Sequence, residues 1–327
     1  MRTRTRPLAR PSSLEQLHTL SRSPFMSLHV FAAFVTPLGT AANNRGLTEG
    51  NITSLQKLVW NGQVHTTVSA ESIRFALRRR LNEQEPCNRT YDDASRANAW
   101  KDAAFSAWSG KSKEKTYIDD DLLGFMSAEG AKQEKEKGTA KVRRAVLEVS
   151  RAVSLTPWSG DVTFNAASPG ATPSAQKKGS NPVPYGTEMH ATRYQYGVAL
   201  TPEALRVPAR AVTALNQLCA LGPVAGNHGR FLFDFSPESV VFRLTQEAAP
   251  RILYAFEPSS RAGGVELAAL LRKVKSGDVP AKELVLGGQV VEGLGAEERE
   301  VLSGAELHTG VVAACRAACK RLEVRKK

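Results

Sequence analysis

The residues best suited to chemistry are two arginines on one predicted helix. Ser69 can cap a helix over residues 70–83, and Arg74 and Arg78 then stand one turn apart on its flank. Two guanidinium groups at this spacing can bind successive phosphates of a nucleic acid. The alternative is a pair of solvated surface charges, which is the usual role of arginines on a helix.

A polar turn and a predicted hairpin precede this helix. Residues 43–46, Asn-Asn-Arg-Gly, follow an apolar run and are typical of a loop at the end of a strand. Gln56 and Lys57 come next, and the Asn61-Gly62 pair then favours a hairpin turn. With the helix, these groups could hold a sugar-phosphate backbone without reading its bases.

Hydrophobic periodicity predicts the elements that position these residues. Residues 28–35 form a predicted strand, and the helix buries a stripe made of Ile73, Ala76, Leu77 and Leu81. Further predicted elements are a strand at 191–200, a helix at 203–221 that Pro208 should break or kink, a strand at 231–235, a helix at 265–274, a strand at 283–290 and a helix at 305–322. Residues 141–155 fit a helix or a strand equally well.

Composition indicates a globular protein with a polyanionic partner. The chain has 327 residues, 42% of them hydrophobic, and a net charge of +12. Such a charge favours nucleic acid over an acidic membrane surface or an incidental excess of lysine and arginine. Four scattered cysteines indicate no disulfide framework, and no apolar run is long enough to cross a membrane, so we expect a cytoplasmic protein.

Two groups of metal-binding residue types have simpler interpretations. Asp119-Asp120-Asp121 could attract a cation, but three adjacent carboxylates on an extended chain point to alternating sides, so a solvated acidic turn is favoured. His308, Cys315 and Cys319 would share one face of the last predicted helix, yet a fourth zinc ligand is lacking, so buried thiols are favoured. No metal or cofactor is predicted.

Three sequence blocks carry a resemblance to a known family. The first contains NNRG, QK, WNG and VSAESIRFALR; the second is PYGTEMHATRYQY at 184–196; the third is AGNHGRFLFDFSPE at 225–238. In this order they resemble the DevR-type backbone subunit of the CRISPR surveillance complex called Cascade. The resemblance runs from about Met26 to Thr245, and no motif of the family is found within residues 85–140.

The predicted elements give a fold, and the resemblance adds detail to it. Their order of strand, helix, strand, projecting arm, strand, helix, strand is the split βαβ layout of an α+β, ferredoxin-like or RNA-recognition-motif-like core at 26–84 and 139–245. Antiparallel pairing would leave one sheet face and one edge for a ligand. The resemblance implies that 141–155 is extended.

Composition divides the rest of the chain. The segment 156–190, dense in Pro, Gly, Ser and Asn, is predicted to be a long projecting loop, and the resemblance implies that it is a thumb arm. Residues 1–25 would be a disordered basic leader, 85–138 a helical or mobile insertion, and 246–327 a C-terminal extension packed on the core.

The resemblance also implies a function without catalysis. The chain would oligomerise along a CRISPR guide RNA, contact other Cascade subunits and copies of itself, and meet target DNA only through the guide. The residues implied to bind RNA are Asn43, Asn44, Arg45, Gln56, Lys57, Ser69, Arg74, Arg78, Met189, His190, Arg193, Asn227, His228 and Arg230. Two alternatives remain open: a metal-independent endoribonuclease using His65, His190 or His228, and a basic regulator that touches nucleic acid transiently.

Overall fold

A computed structural model of the chain describes most of the sequence. The described residues are 27–42, 48–95, 97–109, 116–129, 139–170, 182–224, 232–259 and 264–324. The leader expected at 1–25 and the polar turn at 43–46 lie outside these ranges. Among the described residues, no helix combines the length and the apolarity that crossing a membrane requires.

The described residues form a mixture of strands and helices. In chain order the strands are β1 (His29–Val35), β2 (Gly39–Ala41), β3 (Thr48–Glu49), β4 (Ile52–Thr53), β5 (Lys57–Trp60), β6 (Gln63–Val68), β7 (Arg89–Asp92), β8 (Ala97–Trp100), β9 (Phe125–Glu129), β10 (Thr139–Arg143), β11 (Leu147–Val149), β12 (Ala152–Ser154), β13 (Val162–Ala167), β14 (Val183–Glu188), β15 (His190–Thr192), β16 (Tyr194–Leu200), β17 (Ser239–Thr245), β18 (Glu257–Pro258), β19 (Val265–Glu266), β20 (Leu284–Gly288) and β21 (Glu306–His308). The helices are α1 (Ala70–Asn82), α2 (Ser106–Ser109), α3 (Ile118–Leu123), α4 (Arg210–Cys219), α5 (Ala268–Lys275), α6 (Gln289–Glu292), α7 (Ala296–Val301) and α8 (Val311–Val324), with 3₁₀ turns at Pro202–Ala204 and Ala281–Glu283.

One large sheet organises the protein. Its strands follow the order β21-β20-β17-β1-β16-β12-β6-β5, and β11 also pairs with β16. β1 lies between β16 and β17 and is antiparallel to both. In chain order α1 follows β6 and precedes β11 and β12, and α4 lies between β16 and β17. The fold is therefore α+β, as predicted, with a central strand at the position that the apolar run 28–35 indicated.

Both faces of the sheet are covered near β1. Val30, Ala32 and Phe34 point into a cluster with α1, α4 and α8. Phe31 and Val35 point the other way, into a second cluster that includes residues of α5 and α6. The prediction that one face would stay open is therefore wrong for β1 and its neighbours, because the segment from 252 to 302 packs on that face.

The thumb region contains regular structure. Residues 156–190 were expected to form a long projecting loop, but β13 and β14 pair as an antiparallel hairpin within them. β14 also pairs in parallel with β4, through Gly186 and Thr187 opposite Ile52 and Thr53. This pairing joins the hairpin to the segment that precedes the large sheet's edge strand.

A proline and a side-chain hydrogen bond explain where the elements between residues 203 and 245 differ from the predicted ones. Pro208 breaks the predicted helix, because α4 begins at Arg210. The predicted strand at 231–235 is wrong in its described part: Asp234 accepts a hydrogen bond of 2.8 Å from the Ser236 amide, which makes a turn. The strand forms later, as β17, while Phe233 and Phe235 are buried in the core.

Candidate nucleic-acid interface

The helix predicted to bind phosphate exists with the predicted cap. Ser69 is extended at φ −67° and ψ 148°, and its hydroxyl accepts a hydrogen bond from the Ser72 amide. Ile73, Leu77 and Leu81 are fully buried along one stripe. The stripe fixes the rotation of α1, so the direction of every other side chain on the helix follows from it.

The arginine pair on α1 faces the protein. Arg78 Nε donates to Asp119 Oδ2 at 3.2 Å, and the Arg78 side chain is only 14% exposed. Arg74 donates to the carbonyl oxygen of Leu123. Both partners lie on α3, which packs beside α1. The geometry therefore does not support binding of successive phosphates by Arg74 and Arg78, because both guanidinium groups already form hydrogen bonds with α3.

The acidic triplet on α3 is a buried hub of ion pairs. Asp119, Asp120 and Asp121 are 2%, 2% and 0% exposed, so the prediction of a solvated acidic turn is wrong. Asp121 pairs with Arg143 at 2.7 Å and with Arg210 at 3.0 Å. Because the triplet is helical rather than extended, its carboxylates spread around α3 and reach arginines on different elements.

Asp120 has a raised carboxyl pKa. Burial raises the pKa of Asp120 to about 7, and the neighbouring charge of Asp119 adds to the rise. Asn88 Nδ2 donates to Asp120 Oδ2 at 3.0 Å, which favours the charged form and limits the shift. Among the described residues no group of acidic, histidine and cysteine side chains has the arrangement of a metal site.

Gln56, Lys57 and Met189 surround the root of the thumb hairpin. Lys57 Nζ lies 2.5 Å from Glu188 Oε2 and 4.1 Å from the centre of the Trp158 ring. Trp158 donates its indole hydrogen to the Met189 carbonyl oxygen at 3.0 Å. Gln56 accepts a hydrogen bond from Arg151 at 3.2 Å. The structure thus brings these three predicted residues together, at a position that fixes the arm.

His65 and His190 are buried next to each other. Thr66 Oγ1 lies 2.7 Å from His190 Nδ1 and 2.8 Å from the Tyr194 hydroxyl. His65 Nδ1 lies 2.8 Å from the Ser154 carbonyl oxygen. Burial lowers the pKa of His190. A buried imidazole with bonded nitrogens cannot reach a phosphodiester, so the prediction that His190 contacts RNA directly is not supported.

Arg193 and Ser69 also have structural roles. Arg193 is 9% exposed and forms a bidentate pair with Glu238, with Nε 2.8 Å and Nη2 3.3 Å from the carboxylate oxygens. The pair links the start of β16 to the segment before β17.

Six of the predicted RNA-binding residues lie outside the described residues, so their roles stay predictions. They are Asn43, Asn44, Arg45, Asn227, His228 and Arg230.

The cysteines near the C-terminus are buried thiols. Cys315 and Cys319 lie on α8 and pack in the core beside α4. The neighbouring thiol of Cys219 raises the pKa of Cys315 to about 12, and burial adds to the rise. His308 is on β21 instead of the helix. The interpretation as buried thiols is confirmed for Cys315 and Cys319.

Sequence reasoning missed a cleft between α1 and the β7–β8 hairpin. The cleft has a volume of about 240 Å³. Its lining combines aromatic, cationic and amide side chains: Phe75, Arg78, Arg79, Asn82, Glu83, Arg89, Thr90, Tyr91 and Asn98. The sequence drew attention to Arg78 alone, because the other side of the cleft comes from a segment that matches no recognised motif.

The fold and its charge define a basic α+β protein with a hairpin arm and a buried sheet. Residues 35–217 match the sequence profile of the family described as "CRISPR-associated negative auto-regulator DevR/Csa2". This match covers more than half of the chain, and the chain belongs to that family. The resemblance found in the sequence blocks is thereby confirmed.

Two solved structures have a similar fold. One is titled "CRISPR RNA-guided surveillance complex"; it is 15% identical, with a TM-score of 0.53, over 90% of this chain and 99% of that chain. The other is titled "CRISPR RNA-guided surveillance complex, pre-nicking"; it is 13% identical, with a TM-score of 0.55, over 90% of this chain and 100% of that chain. The likeness extends over nearly the whole chain and concerns the fold.

Proposed function

We propose that this protein is a backbone subunit of a type I CRISPR Cascade complex. In this role it oligomerises along the guide RNA through contacts to the sugar-phosphate backbone and displays the bases for pairing with target DNA. The observation that carries the proposal is the family match over 35–217. The fold shared with chains of RNA-guided surveillance complexes supports it.

The arrangement of the central strands supports an RNA-binding core. We propose that the order β17-β1-β16-β12, with α1 and α4 packed in one cluster, is a version of the split βαβ layout of ferredoxin-like and RNA-recognition-motif-like folds. The second sheet face, which such folds often use for RNA, is covered here near β1. We therefore place the RNA at the sheet's edge and on the elements added to the core.

The net charge and the organisation of the chain agree with contacts to the RNA sugar-phosphate backbone that do not depend on the RNA sequence. A net charge of +12 supplies counterion release along any strand of RNA. In this proposal the insertion at 85–138 and the thumb arm at 156–190 extend the contact, and 246–327 braces the core. Arg45 remains the residue of the polar turn that we expect to reach a phosphate, since it alone there carries charge.

We further propose that the protein is not an enzyme. His65 and His190, two of the three histidines considered for RNA cleavage, are buried and bonded to neighbouring side chains or carbonyl oxygens. His228 is the remaining candidate for the endoribonuclease alternative. The regulator alternative agrees with the words "negative auto-regulator" in the family description.

One experiment separates the three functions. Purified protein is incubated with labelled CRISPR repeat-spacer RNA, and in parallel with labelled duplex DNAs of several sequences, in the presence of a chelator. The products are resolved by native and denaturing electrophoresis. Intact RNA in a ladder of regularly spaced complexes supports the backbone subunit. Defined cleavage products that disappear in the His228→Ala variant would establish the endoribonuclease instead. Binding confined to one DNA sequence, with no RNA ladder, would establish the regulator.

A further inference from the structure

The cleft between α1 and the β7–β8 hairpin has the parts of an anion site. In the hairpin, Arg89 lies opposite Trp100, and Tyr91 lies opposite Asn98. Tyr91 meets Phe75 of α1 edge to face, with ring centres 5.4 Å apart. This contact holds the hairpin against the helix and opens the cleft beside it.

Positive charge is concentrated around this cleft. Arg78, Arg79 and Arg89 line it, and Arg74 lies one turn away on α1. Burial lowers the pKa of Arg89, and the nearby charge of Arg78 lowers it further. Burial is also the main cause of the lowered pKa of Arg74, with Arg78 second. Like charges held this close repel one another, so a bound anion would relieve the repulsion.

The acidic groups nearby leave part of this charge uncompensated. Asp119 is buried and shared between Arg78 and the backbone amides of Asn88 and Arg89. Asp93 pairs with Arg79 at 3.0 Å, but both side chains are more than half exposed, so water screens that pair. Glu83 also lines the cleft but pairs with Arg80 at 2.8 Å, so it does not neutralise Arg79 or Arg89 directly.

Arg89 offers donors toward the cleft. Its Nε donates to Asn98 Oδ1 at 3.0 Å, and its guanidinium carbon lies 5.3 Å from the centre of the Trp100 ring. Within the described part of the chain, its two terminal amino groups have no hydrogen-bond partner. A guanidinium oriented by an amide and an aromatic ring, with both terminal groups available, matches the geometry of a phosphate.

We propose that this cleft binds one phosphodiester of single-stranded RNA and packs an adjacent base against Tyr91. The proposal rests on the proposed function and assigns it a contact site. Arg79 and Arg89 would bind the phosphate oxygens. Tyr91 is 37% exposed and presents ring surface for stacking. A volume of about 240 Å³ lies below the roughly 300 Å³ at which pockets for whole small molecules begin, so a segment of a polymer fits better than a free nucleotide.

The test compares two double variants of the full-length chain. Arg79→Ala/Arg89→Ala removes two charges from the cleft, and Arg144→Ala/Arg272→Ala removes two exposed charges elsewhere. Binding of two unrelated 30-nucleotide RNAs is measured by fluorescence anisotropy at several salt concentrations. We expect the cleft variant to bind both RNAs at least tenfold more weakly and its salt slope to fall by about 0.7, since the cleft binds one phosphate and each phosphate contact contributes about 0.7 for single strands. The control should stay within about twofold of the wild type.

Two further measurements keep the outcomes distinct. Thermal unfolding should show that the cleft variant remains folded with a cooperative transition, since the contacts it loses, with Asp93 and Asn98, are exposed. Ultraviolet crosslinking of the wild type to RNA should yield an adduct on the peptide that contains Tyr91, and Tyr91→Ala should abolish it. If the wild type binds RNA and the cleft variant binds equally well, the cleft proposal is overturned alone. If the wild type binds no RNA, both this proposal and the proposed function fall.

Discussion

Arg210 donates a hydrogen bond of 3.0 Å to Asp121, and these two side chains are 4% and 0% exposed. The pair joins α4 of the core to α3 of the segment expected to be an insertion. Arg210 also bonds Thr116 and Glu85, and Asp121 also pairs with Arg143. The insertion is therefore tied to the core by buried charge as well as by apolar packing.

Loss of Arg210 should destabilise the fold strongly. Arg210→Met leaves the Asp121 carboxylate buried with one cationic partner fewer, and removing one partner of a buried pair costs about 3–5 kcal/mol. Chemical denaturation followed by circular dichroism gives the free energy of unfolding. Arg144→Ala is the control, because the Arg144–Glu148 pair is exposed and should contribute about 0–1 kcal/mol. Equal effects of the two variants would contradict the structural role of the buried pair.

Asp120 should make the protein less stable as the solution becomes more alkaline. Its pKa is about 7 in the folded protein and 3.8 in the unfolded chain, so the folded state binds more protons between these values. Stability due to Asp120 is therefore present at low pH and lost as the pH rises from about 4 to about 7. Asp120→Asn should be more stable than the wild type at pH 8 by up to about 1.4 kcal/mol per unit of pKa shift. Its advantage should vanish near pH 4; an advantage that is independent of pH would refute this origin.

His190 should make the protein less stable as the solution becomes more acidic. Its folded pKa lies below the value of 6.5 for an unperturbed histidine, so the unfolded chain binds the proton more readily. The contribution of His190 is complete above pH 6.5 and is lost as the pH falls below that value. His190→Gln should show a smaller loss of stability between pH 7 and pH 5 than the wild type, measured by urea denaturation. The comparison is best made in the Asp120→Asn protein, in which the opposing titration of Asp120 is absent. If His190→Gln leaves the dependence of stability on pH unchanged in that protein, the proposed effect of the buried histidine is contradicted.

Ser69 should contribute to stability through its cap. Ser69→Ala removes the oxygen that accepts the Ser72 amide, and the loss of such a cap costs about 1 kcal/mol. Ser69→Asp should retain most of the stability, since a carboxylate can cap the same amide. Ser276→Ala, at an exposed position after α5, is the control. Thermal unfolding would reveal the difference, and equal melting temperatures for Ser69→Ala and Ser69→Asp would argue against a capping role.

Local patterns predicted α1 and β1 well. The stripe of Ile73, Leu77 and Leu81 and the cap at Ser69 are short-range features, so the sequence contains all the information they need. The same holds for the Asn61-Gly62 hairpin, in which both residues have positive φ. The family resemblance was also readable, since it depends on residue types in order and not on contacts.

The roles of charged residues were harder to predict. Arg74, Arg78 and Arg193 resembled phosphate ligands because their future partners, Leu123, Asp119 and Glu238, lie 49, 41 and 45 positions along the chain. Ion pairs between distant segments leave no local pattern, so a buried arginine and a phosphate-binding arginine look alike in sequence. The acidic triplet at 119–121 was misread for the same reason.

By itself, the sequence determined the family, the α+β class, the basic charge and the elements whose periodicity is local. The tertiary structure alone decided which arginines bond to groups inside the protein and which remain free to bind a ligand. It also placed Arg89 beside Arg79 in one cleft and Tyr91 beside Phe75. The reason is physical: a charge in water and a charge beside a buried carboxylate differ only in what the rest of the chain packs around them.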